Sequence, residues 1–315
     1  LFTTQDASAQ GLRVQVRHGG HVPAPPLGSS TPPLGSSAPP HGRRHSDRAD
    51  DDRFGPCKVV ILAGGFGTRL AERTDELPKP MVEVGGRPIL WHIMKIFSHF
   101  GLNDFVIAGG YRVDVIKRFF RDYRDQMSDL VFDYSRGSVE RINTHIEPWR
   151  VAVIDTGPET MTGGRLKRLQ QHLGGRTFMM TYGDGVADID LHALLAFHKK
   201  HGKLATFTAV RKPTTFGIPV LQGDRAVKFA EKPPGDSEWI NGGFLVLEPA
   251  VLDRIAGDHT NFELKTLSEL AEGGELMAYR HAGFWQPMDT LRDVRLLNSL
   301  WSSADNPPWK VWRST

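Results

Sequence analysis

Apolar residues recur along this chain in two rhythms, and the alternation between them predicts the fold. Val59, Val60, Ile61 and Leu62 form an unbroken apolar run, as expected of a strand buried on both faces of a parallel sheet. Comparable runs predict strands over residues 104–108, 178–182, 205–210, 227–230 and 242–247, and another around Val220. Between them, apolar positions fall at helical spacing near residues 89–100, 113–120, 164–173, 191–201, 262–271 and 290–301, with a shorter helix near Leu252. Strand and helix in repeated alternation imply an α/β fold, a Rossmann-like, mostly parallel mixed sheet wound on both faces. Residues 130–155 break the rhythm with short strand-like runs, read as a small β insertion, and the last helical patterns read as a C-terminal helical extension.

Residues 1–56 carry neither rhythm. Pro25-Pro26-Leu27-Gly28-Ser29-Ser30 nearly repeats as Pro32-Pro33-Leu34-Gly35-Ser36-Ser37, and a mixed-charge run follows from Arg43 to Arg53. Such a composition cannot bury enough apolar area to offset the entropy of ordering, so a disordered tail over 1–56 is expected, with residues 57–315 forming one α/β domain. Every methionine lies beyond this tail, which leaves two readings: an extension upstream of the true start, or a proline-rich docking arm.

Composition narrows the function classes. A chain of 315 residues, 39% hydrophobic, can bury a substantial core. Its 39 basic and 36 acidic residues are spread along the chain and sum to +3, which argues for neither nucleic acid nor an anionic membrane as partner. Cys57 is the only cysteine, so an internal disulfide framework and a cysteine-rich zinc site are excluded and a reducing cytoplasm is the expected compartment. No apolar stretch reaches the length of a membrane span. His92 and His99 share a face of one predicted helix but have no acidic partner at ligand spacing, and they read as packing or polar-face histidines rather than metal ligands.

The candidate chemistry begins where the first strand ends. Leu62-Ala63-Gly64-Gly65-Phe66-Gly67-Thr68-Arg69 joins the apolar run to a glycine-rich turn closed by an arginine. Bare backbone there lets successive N–H groups approach phosphate oxygens, and Arg69 can add a forked charge-assisted contact. The turn matches neither the Walker spacing nor Gly-x-Gly-x-x-Gly, and alone it could equally serve only to connect strand and helix. Leu77-Pro78-Lys79-Pro80-Met81 follows closely, and prolines on both sides of Lys79 restrict the backbone and aim its ammonium. Together the two segments point to a nucleoside triphosphate. Tyr182-Gly183-Asp184-Gly185 sets an acid at a predicted strand end, where turn chemistry is the alternative to a metal ligand. Asp289, just before a helical pattern, reads equally as an N-cap. In open α/β sheets ligands sit beyond the carboxyl ends of the strands, so the glycine turn and Asp184 are expected to face one crevice.

Gly64-Gly65-Phe66-Gly67-Thr68-Arg69 followed by Pro78-Lys79-Pro80-Met81 resembles the signature of the sugar-1-phosphate nucleotidylyltransferases. The likeness extends from Lys58 to Trp312, through Met161-Thr162-Gly163-Gly164-Arg165, Tyr182-Gly183-Asp184-Gly185, Ile240-Asn241-Gly242-Gly243 and Gln286-Pro287-Met288-Asp289-Thr290, and is nearest to the members that use CTP and glucose 1-phosphate. The resemblance implies the nucleotide-diphospho-sugar transferase type of fold, a homo-oligomer and a place in nucleotide-sugar and polysaccharide biosynthesis. It also implies roles: Mg²⁺ held by Asp184 and Asp289; Arg69 and Lys79 as catalytic cations; Leu62, Ala63, Gly64, Gly65, Gly67, Thr68, Thr160, Arg165 and Gly183 on the nucleotide; Glu231, Lys232 and Asn241 on the sugar phosphate. UTP or dTTP in place of CTP, or a catalytically silent paralogue, remain the alternatives. Trp285, Trp301, Trp309 and Trp312 are expected to cover a subunit interface or the core.

Overall fold

The structure is a computed structural model and describes residues 57–67, 77–211, 218–222, 225–230, 239–303 and 306–313. The expected disordered tail over 1–56 lies outside them. The elements that shape the site are β1 (Val59–Ala63), β2 (Glu83–Val84), β3 (Arg87–Pro88), α1 (Ile89–His99), β4 (Asp104–Gly109), α2 (Val113–Gln126), β5 (Asp129–Asp133), β6 (Ser138–Ile142), β7 (Arg150–Asp155) and α3 (Thr162–Arg168). They continue with β8 (Phe178–Tyr182), β9 (Gly185–Ala187), α4 (Leu191–His201), β10 (Ala205–Arg211), β11 (Ile218–Gln222), β12 (Arg225–Ala230), β13 (Trp239–Leu247), β14 (Leu276–His281), β15 (Trp285–Pro287) and α5 (Leu291–Ser302).

Among the described residues, seven strands form one sheet in the order β14-β10-β13-β8-β1-β4-β7. The pairs β8–β1, β1–β4, β4–β7 and β10–β14 are parallel, whereas β13 runs antiparallel to both of its neighbours. The mostly parallel mixed sheet expected from the sequence is therefore the observed one. The small insertion expected over 130–155 is only the hairpin β5–β6; its last part, Arg150–Asp155, is instead the edge strand β7 of the main sheet, paired parallel with β4. The C-terminal part supplies helix α5 and also the edge strand β14, whose half-buried mixed pattern, Leu-Met-Ala-Tyr-Arg-His, carries no clear period.

The continuous apolar run of β1 has its physical reason in two separate cores. Val59, Ile61 and Ala63 point into one, with α1, α2, α4 and α5, while Val60 and Leu62 point into the other, with α3 and the segments Pro249–Arg254 and Phe262–Leu267. The result is a three-layer α/β/α arrangement. His92 is fully buried in the first core, where its Nε2–H donates to the Val84 carbonyl at 2.8 Å and Trp309 Nε1–H points at its Nδ1. Of the two expectations for the tryptophans, the core is the one that holds for Trp309 and Trp312: Trp309 is completely buried, stacks on Trp301 and Phe284, and together with Trp312 belongs to this chain's own core. Among the described residues no helix is long and apolar enough to cross a membrane.

Candidate active site

The parallel strands β1, β4, β7 and β8 all end on one side of the sheet, and a cavity of about 460 Å³ opens there. Leu62, Ala63, Gly64, Gly65, Gly67, Lys79, Thr160, Arg165, Gly183 and Asp184 line it, so these sequence-predicted residues are brought together. Asn241 lines a smaller adjoining pocket of about 50 Å³, with Tyr182, Asp184 and Trp285. Thr68, Arg69, Glu231 and Lys232 lie outside the described residues.

Lys79 joins the two aspartates. Its Nζ donates to Asp184 Oδ2 at 2.5 Å and to Asp289 Oδ1 at 2.6 Å. Proline at 78 and 80 holds this lysine on a single 3₁₀ turn, Lys79–Met81, where Pro80 and Met81 are buried. Burial works against its charge, but Asp184 and then Asp289 outweigh it and push the ammonium pKa above its ordinary value. The two aspartates meet because β15 pairs antiparallel with β9, Pro287 opposite Gly185, and the Met288 N–H donates to the Asp184 carbonyl at 2.8 Å. Asp289 is not the N-cap of α5. Thr290 is, in a capping box with Asp293, whose Oδ2 also accepts the Asp289 N–H at 3.1 Å.

These two carboxylates converge on a single point of positive charge, the donor set that a hard, oxygen-seeking cation requires when substrate phosphates and water supply its other ligands. Residues and group therefore fit. Among the described residues no cluster of three or more His, Cys, Asp or Glu could hold a metal by itself.

Arg165 lines the cavity, but its guanidinium is committed to the protein. Nη1 donates to the Gly109 and Gly157 carbonyls and the Thr156 hydroxyl, and Nη2 to the Gly64 and Pro158 carbonyls, at 2.7–3.2 Å. One side chain thus staples the ends of β1, β4 and β7. Burial, followed by the nearby charge of Arg168, lowers its pKa. Gly64 is glycine because of this contact: a Cβ there would lie 2.1 Å from Arg165 Nη1. Gly163 and Gly164, whose bare backbone invites a ligand reading, are instead pressed against Asp258 and Thr260, with the Gly163 Cβ position 2.7 Å from the Thr260 carbonyl. Sequence reasoning gives Tyr182, Glu263 and Asn261 no role in the site, and it assigns Trp285 to an interface or the core, whereas Trp285 lines the pocket beside Asp184 and Asn241. Asn261 lines the cavity and accepts the Leu264 N–H, and Trp285 donates to the Gly242 carbonyl at 2.8 Å. The only sequence signal for Trp285 is its place four residues before Asp289.

A glycine turn, a lysine and two aspartates thus meet at one end of the sheet. Residues 58–304 match the family model described as nucleotidyl transferase, and the chain belongs to that family. It is 52% identical over 256 residues to glucose-1-phosphate cytidylyltransferase of Salmonella typhi, a match spanning 81% of this chain and 99% of that one. Identity falls to 32% over 246 residues with the mannose-1-phosphate guanyltransferase of Aspergillus oryzae (strain ATCC 42149 / RIB 40), covering 74% of this chain and 62% of that one. In fold it is similar to HddC from Yersinia pseudotuberculosis, with a TM-score of 0.58 at 21% identity over 78% of this chain and all of that one.

Proposed function

We propose that this chain joins CTP and α-D-glucose 1-phosphate to give CDP-glucose and pyrophosphate. The observation that carries the reading is Lys79 held between Asp184 and Asp289 beside the glycine turn, in a chain 52% identical to a glucose-1-phosphate cytidylyltransferase along almost that enzyme's whole length. A phosphate oxygen of the sugar phosphate attacks the α-phosphorus, the bond to the β-phosphate breaks, and pyrophosphate leaves with the electron pair. The attacking oxygen is already anionic near neutral pH, so no general base is needed, and positioning with charge neutralisation supplies the catalysis.

Gly64, Gly65 and Gly67 offer the triphosphate a path along the turn, and Arg69 steadies the leaving pyrophosphate. Lys79 exchanges its carboxylate partners for the α-phosphoryl oxygens as charge builds there. Thr160 and the start of α3 form the wall against the base, while Asn241, with Glu231 and Lys232, takes the sugar phosphate. Mg²⁺, held by Asp184 and Asp289, would neutralise phosphate charge when bound.

The same reading places the protein in the cytoplasm, in nucleotide-sugar biosynthesis that supplies polysaccharides, and makes it a homo-oligomer. What supports assembly is the β5–β6 hairpin, where Val131, Phe132, Tyr134, Val139 and Ile142 remain exposed. The test is pyrophosphate release with glucose 1-phosphate, Mg²⁺ and each of CTP, UTP, dTTP, ATP and GTP in parallel. Preference for CTP is expected. Release with UTP or dTTP alone would mean a different base, and silence with all five would mean a paralogue without this activity.

A further inference from the structure

Glu263 lies where two walls of the crevice meet. It belongs to the first turn of the π-helical segment Phe262–Leu267, a widened turn of the kind often found at functional sites. On one side the Thr162 hydroxyl donates to Glu263 Oε2 at 2.7 Å and itself accepts the Phe262 N–H at 2.9 Å. Thr162 is the first residue of α3 and lines the main cavity beside Thr160. On the other side the Tyr182 hydroxyl donates to Glu263 Oε1. Tyr182 also bonds the Asn241 side chain, whose Oδ1 takes the Gly243 N–H at 2.9 Å. The Tyr182 ring lies directly over Gly243, where φ is 82° and a Cβ would come within 2.7 Å of a ring carbon. Burial, reinforced by the Glu263 charge, raises the phenol pKa and keeps it a donor. One carboxylate therefore takes a charge-assisted bond from each wall.

We infer that Glu263 is a positioning residue that fixes the nucleotide wall and the sugar-phosphate wall against each other, through Thr162 on one side and Tyr182 on the other. The inference rests on the proposed assignment of the Thr160–Thr162 wall to the nucleotide and of Asn241 to the sugar phosphate. Two substrates that must meet in line are sensitive to small displacements, and a single hub that sets both walls controls their separation.

The test is steady-state pyrophosphate release with CTP and glucose 1-phosphate varied separately, alongside thermal melting of each variant. Thr162→Val cuts one arm and should raise KM for CTP alone, by about tenfold, as for loss of a bond to a charged group. Tyr182→Phe cuts the other and should raise KM for glucose 1-phosphate alone. Glu263→Gln should raise both, and Tyr182→Phe added to it should worsen glucose 1-phosphate by less than Tyr182→Phe does alone, because the two share the Tyr182–Glu263 bond while the Tyr182–Asn241 bond is lost only with the hydroxyl. A Glu263→Gln protein that melts earlier with both KM values unmoved overturns the inference. If Glu263→Gln does not fold, the single-arm variants decide, and KM for both substrates shifting together in each would overturn it. A wild-type protein inactive with CTP and glucose 1-phosphate would overturn the functional reading and this inference with it, whereas an active one with unmoved KM values overturns the inference alone.

Discussion

Lys79 is held in the free protein by the same two carboxylates that would take a divalent cation. Lys79→Met removes that tethered charge and leaves Asp184 and Asp289 facing each other. Turnover should fall by about 10²–10³-fold, the scale of losing one preorganised electrostatic contact. Mn²⁺ binding to the substrate-free protein, followed by electron paramagnetic resonance, should tighten. Full turnover in this variant would remove Lys79 from the catalytic set. His92 gives the residue-scale pH dependence. Burial lowers its pKa from 6.5 to about 4, so the folded protein keeps it neutral where the unfolded chain is protonated. Stability present above pH 6.5 is lost as pH falls toward 4, by about 1.4 kcal/mol per pH unit at most, and then levels off. Calorimetry across this range should show a shallower loss in His92→Gln than in the wild type.

Among the elements, α5 sets where Asp289 stands. Asp293 accepts from the Asp289 N–H, the Thr290 N–H and the Thr290 hydroxyl, and its Oδ1 from Gln286 Nε2. Asp293→Ala should cost about 1 kcal/mol of stability, as for a lost helix cap, and should lower turnover as well. Asp190→Ala, which removes the cap that accepts the Ala193 N–H on α4, should lower the melting temperature comparably and spare turnover. Equal activity in the two variants would mean that the cap does not position Asp289. The strands at 178–182 and 205–210 and helix 191–201 are readable in the sequence because burial on both faces, or on one helical stripe, repeats with the element's own period. The three-residue strands β9 and β15 are too short to show a period, yet their pairing is what joins the two aspartates.

At the scale of the molecule, the aromatic cluster around His92 closes the core. Trp301, Trp309 and Trp312 all lie within 6.2 Å of His92, ring centre to ring centre. Trp309→Ala should destabilise the fold by about 3–5 kcal/mol and leave the oligomeric state, measured by light scattering, unchanged. A change of assembly with little loss of stability would return Trp309 to an interface.

The sequence by itself determines the alternating α/β fold, the glycine turn, the proline-braced Lys79 and the candidate aspartates, because these depend on local spacing and on what each residue type can do. The tertiary structure alone decides that Asp184 and Asp289 share Lys79, that Arg165 spends its donors on three strand ends, that Gly163 and Gly164 serve packing, and that Glu263 bridges Thr162 and Tyr182. Apart from the bonds of Arg165 to the loop just before α3, these contacts join residues far apart in the chain, and a hydrogen bond between distant segments leaves no period in the sequence from which it could be read.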